Sequence, residues 1–236
     1  MKKMKTLGLI GGIGPESTVD YYKMIIRKFR KISGTNGYPN FFMNNINMTE
    51  MLDFVKEGKL DELTGFLASG IRQLELAGAD FAALASNTPH IVFDGLQKSV
   101  NIPLVSIVEE TMKYIAGQNI SIAGLFGTMS TMNAGFYQSV GKRYGIEIII
   151  PEKQAMDYIN DKYFSELVAG IVRDETRKNL VRITEELKSE RGIKGLILGG
   201  TELPLILSQN DFDNVKLINT SEIHVDAIVE MMLESK

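Results

Sequence analysis

Short apolar runs alternate with longer amphipathic segments along the whole of this 236-residue chain, and no other feature constrains its fold as tightly. The runs have the length of buried strands and the segments have helical spacing, which is the signature of βα units laid on a parallel sheet. Thr6 to Ile10 reads as a strand, followed by a glycine turn and a helix from Pro15 to Ile32. Phe41 to Ile46 reads as the second strand, Asp80 to Ala85 as the third and Pro103 to Ile107 as the fourth. Between the second and third, Leu60 to Ala77 places Leu63, Phe66, Leu67, Ile71 and Leu74 on one side of a helix.

The scheme then restarts. Ile120 to Phe126 reads as a strand ending in Gly127-Thr128, followed by a helix that includes Phe136 and Tyr137. Glu147 to Ile150 is the next strand, and two helical segments follow, Gln154 to Val172 and Glu175 to Arg191. Gly195 to Leu198 and Leu217 to Ile218 are the last strands, and a helix from Ser221 to Glu234 finishes the chain. The length suits one large domain or two of about 100 residues each. Two rounds of strand, polar turn and helix favour two open α/β domains with Rossmann-like parallel sheets. The expected division is 1–105 plus the C-terminal segment 219–236, and 106–218.

Composition removes several functions. A net charge of -3 with interspersed signs leaves no basic footprint for nucleic acid or a membrane surface. The early lysines (Lys2, Lys3 and Lys5) precede an apolar run that stops at Gly11-Gly12; at about seven residues it is a strand, far short of the ~18 to 20 a membrane span needs. The chain therefore reads as cytoplasmic. It has no cysteine, which rules out disulfides, thiolate catalysis and cysteine zinc sites. His90 and His224 are its two histidines and lie far apart in sequence, so no histidine metal cluster is expected, and no lysine stands out as a PLP anchor.

In open parallel sheets, ligands bind outside the carboxyl ends of the strands, and here those ends are polar and glycine-rich. The first is Gly11-Gly12-Ile13-Gly14-Pro15-Glu16-Ser17-Thr18. Its glycines permit close backbone approach and the helix start offers N–H groups to an anion. The plainer alternative is a βα turn capped by Ser17 or Thr18. The second, Ser86-Asn87-Thr88-Pro89-His90, sets two hydroxyls, an amide and an imidazole at one strand end. One cap accounts for one of these residues, not for four. The third is Gly127-Thr128-Met129-Ser130-Thr131, and the fourth is Gly199-Gly200-Thr201-Glu202, whose plain reading is a loop capped by Thr201 with Glu202 complementing a helix dipole. No arginine occurs in these motifs, which suits a small carboxylate better than a bulky phosphate.

The four motifs, in this order and at these spacings, resemble the PLP-independent aspartate/glutamate racemase superfamily, and the likeness covers essentially the whole chain. Gly11 to Thr18 stands for G-G-M-G-P-x-A-T, Ser86 to His90 for C-N-T-x-H, Gly127-Thr128 for G-T and Gly199 to Glu202 for G-C-T-E, with Ile223-His224 for the family's I-H in the final helix. The resemblance implies two pseudo-symmetric α/β domains with the site in the cleft between them. It further implies cofactor-independent racemisation by two bases, usually cysteines, and a homodimer.

Both cysteine positions differ here: Ser86 stands at the first and Gly200 at the second. An alcohol is a poor base without a neighbouring one, for which His90 and Glu202 are candidates, and Gly200 has no side chain. The resemblance thus makes Ser86, Gly200 and Glu202 the catalytic positions, with Glu202 expected to move into the space that Gly200 vacates. Gly12, Asn87, Thr88, Thr128 and Thr201 match the substrate-holding residues, and His90 and His224 the supporting ones. A small acidic amino acid or dicarboxylate is the expected ligand. The readings that follow are an amino-acid racemase of altered proton chemistry or a homologue that binds without turnover. A lyase or cis–trans isomerase of the same superfamily fits less well, because those enzymes keep a cysteine.

Overall fold

The computed structural model of the chain describes residues 4–34 and 36–234; Lys2, Lys3 and the last two residues of the segment 219–236 lie outside this range. The chain divides into two compact units, Met1–Ile107 with Ser221–Lys236, and Val108–Thr220.

In the first unit, β1 (Leu7–Gly11) leads into α1 (Pro15–Ser33), β2 (Phe41–Asn45), α2 (Met48–Lys56) and α3 (Leu60–Leu76). Then come β3 (Phe81–Leu84), a 3-10 turn Thr88–Val92, α4 (Phe93–Lys98) and β4 (Leu104–Val105). The strands pair in parallel in the order β2-β1-β3-β4. All of β1 and β3 is buried, as expected of a parallel sheet covered on both faces. Alternation along the strands supplies two cores. Ile10, Ala82 and Leu84 join Leu63, Leu67, Ile71 and Leu74 of α3, with Phe66 packed against them at the margin. Leu7, Leu9, Phe81 and Ala83 instead meet Tyr21, Ile25 and Phe29 of α1.

Two local expectations fail here. The helix α2 was not anticipated: Asn47 caps it by accepting the Thr49 N–H at 3.1 Å, and Met51 is buried beneath it. The strand expected over Pro103 to Ile107 is cut to two residues, because α5 (Ile107–Gly117) begins at once.

The second unit repeats the pattern. It holds β5 (Ile122–Phe126), α6 (Met129–Asn133), α7 (Phe136–Arg143), β6 (Glu147–Ile149) and α8 (Lys153–Ser165). A 3-10 turn Leu167–Ala169, α9 (Asp174–Arg191), β7 (Gly195–Leu198) and β8 (Lys216–Asn219) complete it. Its parallel order, β6-β5-β7-β8, is that of the first sheet. The helix expected to run to Val172 stops at Ser165. Glu166 leaves helical geometry and its carboxylate takes the Thr176 hydroxyl at 2.6 Å and the Lys162 ammonium at 3.2 Å, after which Gly170 turns left-handed.

The last helix, α10 (Thr220–Leu233), belongs to the first unit. Its Val225, Ile228, Val229 and Met232 are buried with Leu7, Leu9, Tyr21, Ile25 and Phe29.

Candidate active site

At the end of β1, the glycine turn is organised by its own packing. Thr18 Oγ1 accepts the Gly12 N–H and donates to the Gly14 carbonyl, both at 2.9 Å, while Ser17 donates to the Ala85 carbonyl at 3.0 Å. Neither hydroxyl caps α1, whose N-cap is Gly14 without a side-chain bond. The same bond engages the Gly12 N–H that was expected to help cradle a ligand. Gly12 itself is obligatory: its φ is +81°, and a Cβ there would lie 2.4 Å from the Ile46 carbonyl oxygen.

At the end of β3, Ser86, Asn87, Thr88 and His90 are all buried. Asn87 leads the 3-10 turn without capping it through its side chain. The His90 Nε2 accepts the Ile107 N–H at 3.2 Å, which puts its proton on Nδ1, and Nδ1 has no hydrogen-bond partner in the described residues. Its ring stacks on Phe93 at 5.1 Å. No hydrogen bond joins the His90 ring to the Ser86 hydroxyl. Burial, then the neighbouring His224, press His90 down to about 3 against a weaker upward pull from the Ser86 and Asn87 backbone, so it is neutral at physiological pH.

His224 is buried one turn into α10. Its Nε2 lies 3.0 Å from the Val105 carbonyl, which can only accept, so Nε2 carries the proton and Nδ1 accepts the Tyr21 hydroxyl at 2.9 Å. Burial lowers His224 to about 4 and raises Tyr21 above its ordinary range. This bond ties α1, β4 and α10 together.

In the second unit, Thr128 caps α6 by accepting the Thr131 N–H at 3.2 Å, and the two hydroxyls lie 3.1 Å apart. The Met129 N–H is taken by Asn160 of α8 at 2.8 Å. At the end of β7, the Thr201 hydroxyl donates to Glu202 Oε2 at 2.8 Å, and the Tyr163 hydroxyl donates to the same oxygen. Glu202 is 3% exposed. The room beside Gly200 is not open to it: a Cβ on Gly200 would fall 2.4 Å from Cε2 of Tyr163. Tyr163, not Glu202, fills that space.

Tyr163 is the site residue that motif reading missed. It lies in the last turn of α8, 39 residues before Glu202, in an apolar stripe with Met156 and Ile159. Nothing in that stripe sets it apart from core. A surface groove of about 650 Å³ lies on the C-terminal half of α1 and is lined by Tyr22, Lys23, Ile26, Arg27, Arg30 and Lys31, away from the strand ends. Among the described residues no helix is long and apolar enough to cross a membrane.

Two parallel sheets of the same strand order, each with hydroxyl- and glycine-rich carboxyl ends, define a duplicated open α/β protein. The model of the Asp/Glu/hydantoin racemase family matches residues 10–228. The chain belongs to that family. A crystal structure of an aspartate racemase homologue from Pyrococcus horikoshii OT3 is 35% identical, with 98% of this chain and 100% of that one covered and a TM-score of 0.85. One from Yersinia pestis, provisionally assigned as an Asp/Glu racemase, is 31% identical over the same shares with a TM-score of 0.90. Broad specificity amino-acid racemase RacX of Bacillus subtilis (strain 168) is 31% identical over 146 residues, or 61% of this chain and 63% of RacX, so the match spans less than two thirds of that relative.

Proposed function

We propose that this protein is an amino-acid racemase of the family's cofactor-independent type, which exchanges the α-proton of a small acidic amino acid without a thiol. The observation that carries the reading is the state of Glu202. Two hydroxyls donate to its Oε2, and Oε1 receives no hydrogen bond from the described residues. A buried carboxylate with one oxygen fixed and one unengaged is equipped to take a proton. Glu202 is the base, and Ser86 takes the position of the first thiol. The hydroxyl and amide side chains of Asn87, Thr88, Thr128 and Thr201, with the backbone at Gly12, hold the substrate. The names of the relatives, a broad specificity amino-acid racemase and an aspartate racemase homologue, support an amino-acid substrate. The same reading makes the protein PLP-independent, cytoplasmic and homodimeric, and size-exclusion chromatography with light scattering tests the last of these.

A second reading, a homologue that binds an acidic amino acid without turnover, is favoured by Ser86, whose hydroxyl has no hydrogen bond to the His90 ring. Chiral chromatography separates the two. L-aspartate and L-glutamate are incubated with the protein, and the D-enantiomer is followed while ligand-induced thermal shifts report binding. Formation of the D-enantiomer, lost in Glu202→Gln, supports the racemase. A thermal shift without any D-enantiomer supports the binding protein.

A further inference from the structure

Tyr163 of α8 is buried against the end of β7. The ring of Tyr163 lies where a side chain at position 200 would begin: an added Cβ would meet Cε2 at 2.4 Å, Cζ at 3.1 Å and Cδ2 at 3.2 Å. Contacts this short force a shift, and a ring on a packed helix is costly to move. Asn160, on the same helix α8, is bonded to the Met129 N–H at 2.8 Å, and Met156 and Ile159 are buried. The helix is thus pinned to the ends of β5 and β7 together. From that position the phenol donates to Glu202 Oε2 alongside Thr201. Burial first, and the Glu202 carboxylate second, hold the phenol well above its usual range, so at neutral pH it donates a hydrogen bond and does not accept a proton.

Resting on the racemase reading, we infer that Tyr163 takes over the room of the family's second thiol, excluding a side chain at 200 and positioning Glu202 to handle the proton instead. In the step this implies, the Cα–H bond of the bound amino acid breaks and an O–H bond forms on Glu202 Oε1. The electron pair passes into the α-carboxylate. Return of the proton from Oε1, or of a solvent deuteron that replaces it first, gives exchange with retention; inversion needs the opposite face to take its proton from the Ser86 hydroxyl, which recovers one from solvent. Tyr163 and Thr201 hold Oε2 throughout, which fixes the plane of the carboxylate and presents Oε1. Tyr163 is a positioning residue, and Glu202 is the catalytic one.

The test compares the parent with Tyr163→Phe and Glu202→Gln by the pH dependence of α-proton exchange of L-aspartate and L-glutamate in deuterium oxide, with ligand-induced thermal shifts on the same samples. Tyr163→Phe keeps the ring and removes the donor. Its exchange falls about tenfold, the loss expected of one hydrogen bond to a charged group. Its pH profile no longer superimposes on that of the parent, because the donor that holds Oε2 is gone. Glu202→Gln abolishes exchange, and all three proteins retain the ligand-induced rise in Tm. Gly200→Ala lowers Tm when Tyr163 is present and not in a Tyr163→Ala background. If the parent exchanges and Tyr163→Phe matches it at every pH, the inference is overturned and the racemase reading stands. Equal effects of Gly200→Ala in both backgrounds also overturn it. A parent that raises its Tm with ligand yet never exchanges overturns the racemase reading and this inference together.

Discussion

His90 and His224 are held at about 3 and about 4, well below the 6.5 of a free histidine, chiefly by burial. Unfolding exposes both to water, where they take up protons that the folded chain refuses. Between pH 6.5 and about 4 the unfolded state therefore binds more protons, and stability falls as pH drops, by about 1.4 kcal/mol per pH unit for each histidine. Above pH 6.5 neither contributes a slope. Urea unfolding followed from pH 7.5 to 5 should show a flat midpoint and then a decline, shallower in His90→Gln. A midpoint constant from pH 7 to 5 would contradict two neutral buried imidazoles. Gly12 gives a second test at this scale. Its positive φ and the nearby Ile46 carbonyl leave no room for a methyl group, so Gly12→Ala should cost on the order of 3 kcal/mol, read as a fall in the urea midpoint. These side chains show why the site was only partly legible. The strand-end motifs name themselves by composition, but their bonds do not. Thr18 and Ser17 resemble caps and instead bind Gly12 and Ala85. Tyr21 finds His224 across 203 residues, and Tyr163 reads as core until its ring is seen against Gly200.

The elements were more legible than the site, because each buried face repeats with the period of its own backbone. Leu63, Leu67, Ile71 and Leu74 recur at helical spacing and are buried as that spacing requires. The failures have local causes. Asn47 followed three residues later by Glu50 is a helix-start signal, yet α2 shows one buried residue, Met51, and so almost no periodicity. Gly170 and the side-chain bonds of Glu166 end α8 where apolar content alone suggests continuation. The helix α10 supplies the sharpest prediction at this scale. Deleting 221–236 removes Val225, Ile228, Val229 and Met232 from the first core, at roughly 1.5 to 3 kcal/mol for each buried side chain. That sum rivals the whole stability of an ordinary domain, about 5 to 15 kcal/mol. The truncated chain should lose its cooperative first-unit transition by circular dichroism and become sensitive to limited proteolysis before residue 107. Two-state unfolding at the parental midpoint would refute the packing role of α10.

At the scale of the whole molecule, the same sheet order is built twice, and each copy presents short polar side chains at its strand ends. Family membership accounts for that arrangement, and the absence of cysteine makes the chemistry of this member its own. On the proposed mechanism, a single carboxylate base favours removal and return of a proton on one face, because the alcohol of Ser86 is a far weaker partner than a thiol. Isotope exchange should therefore outrun loss of optical activity, which polarimetry and NMR on one reaction mixture would compare directly. Equal rates would require a second efficient proton donor. The most direct measurement is proton NMR of L-aspartate and L-glutamate in deuterium oxide with the parent and with Glu202→Gln. A thiol-free acid/base site requires the α-proton signal to fade with the parent and to persist with the variant, while both proteins keep a ligand-induced rise in Tm. An α-proton signal that persists with the parent, despite that rise, would make the protein a binder of amino acids and not a racemase.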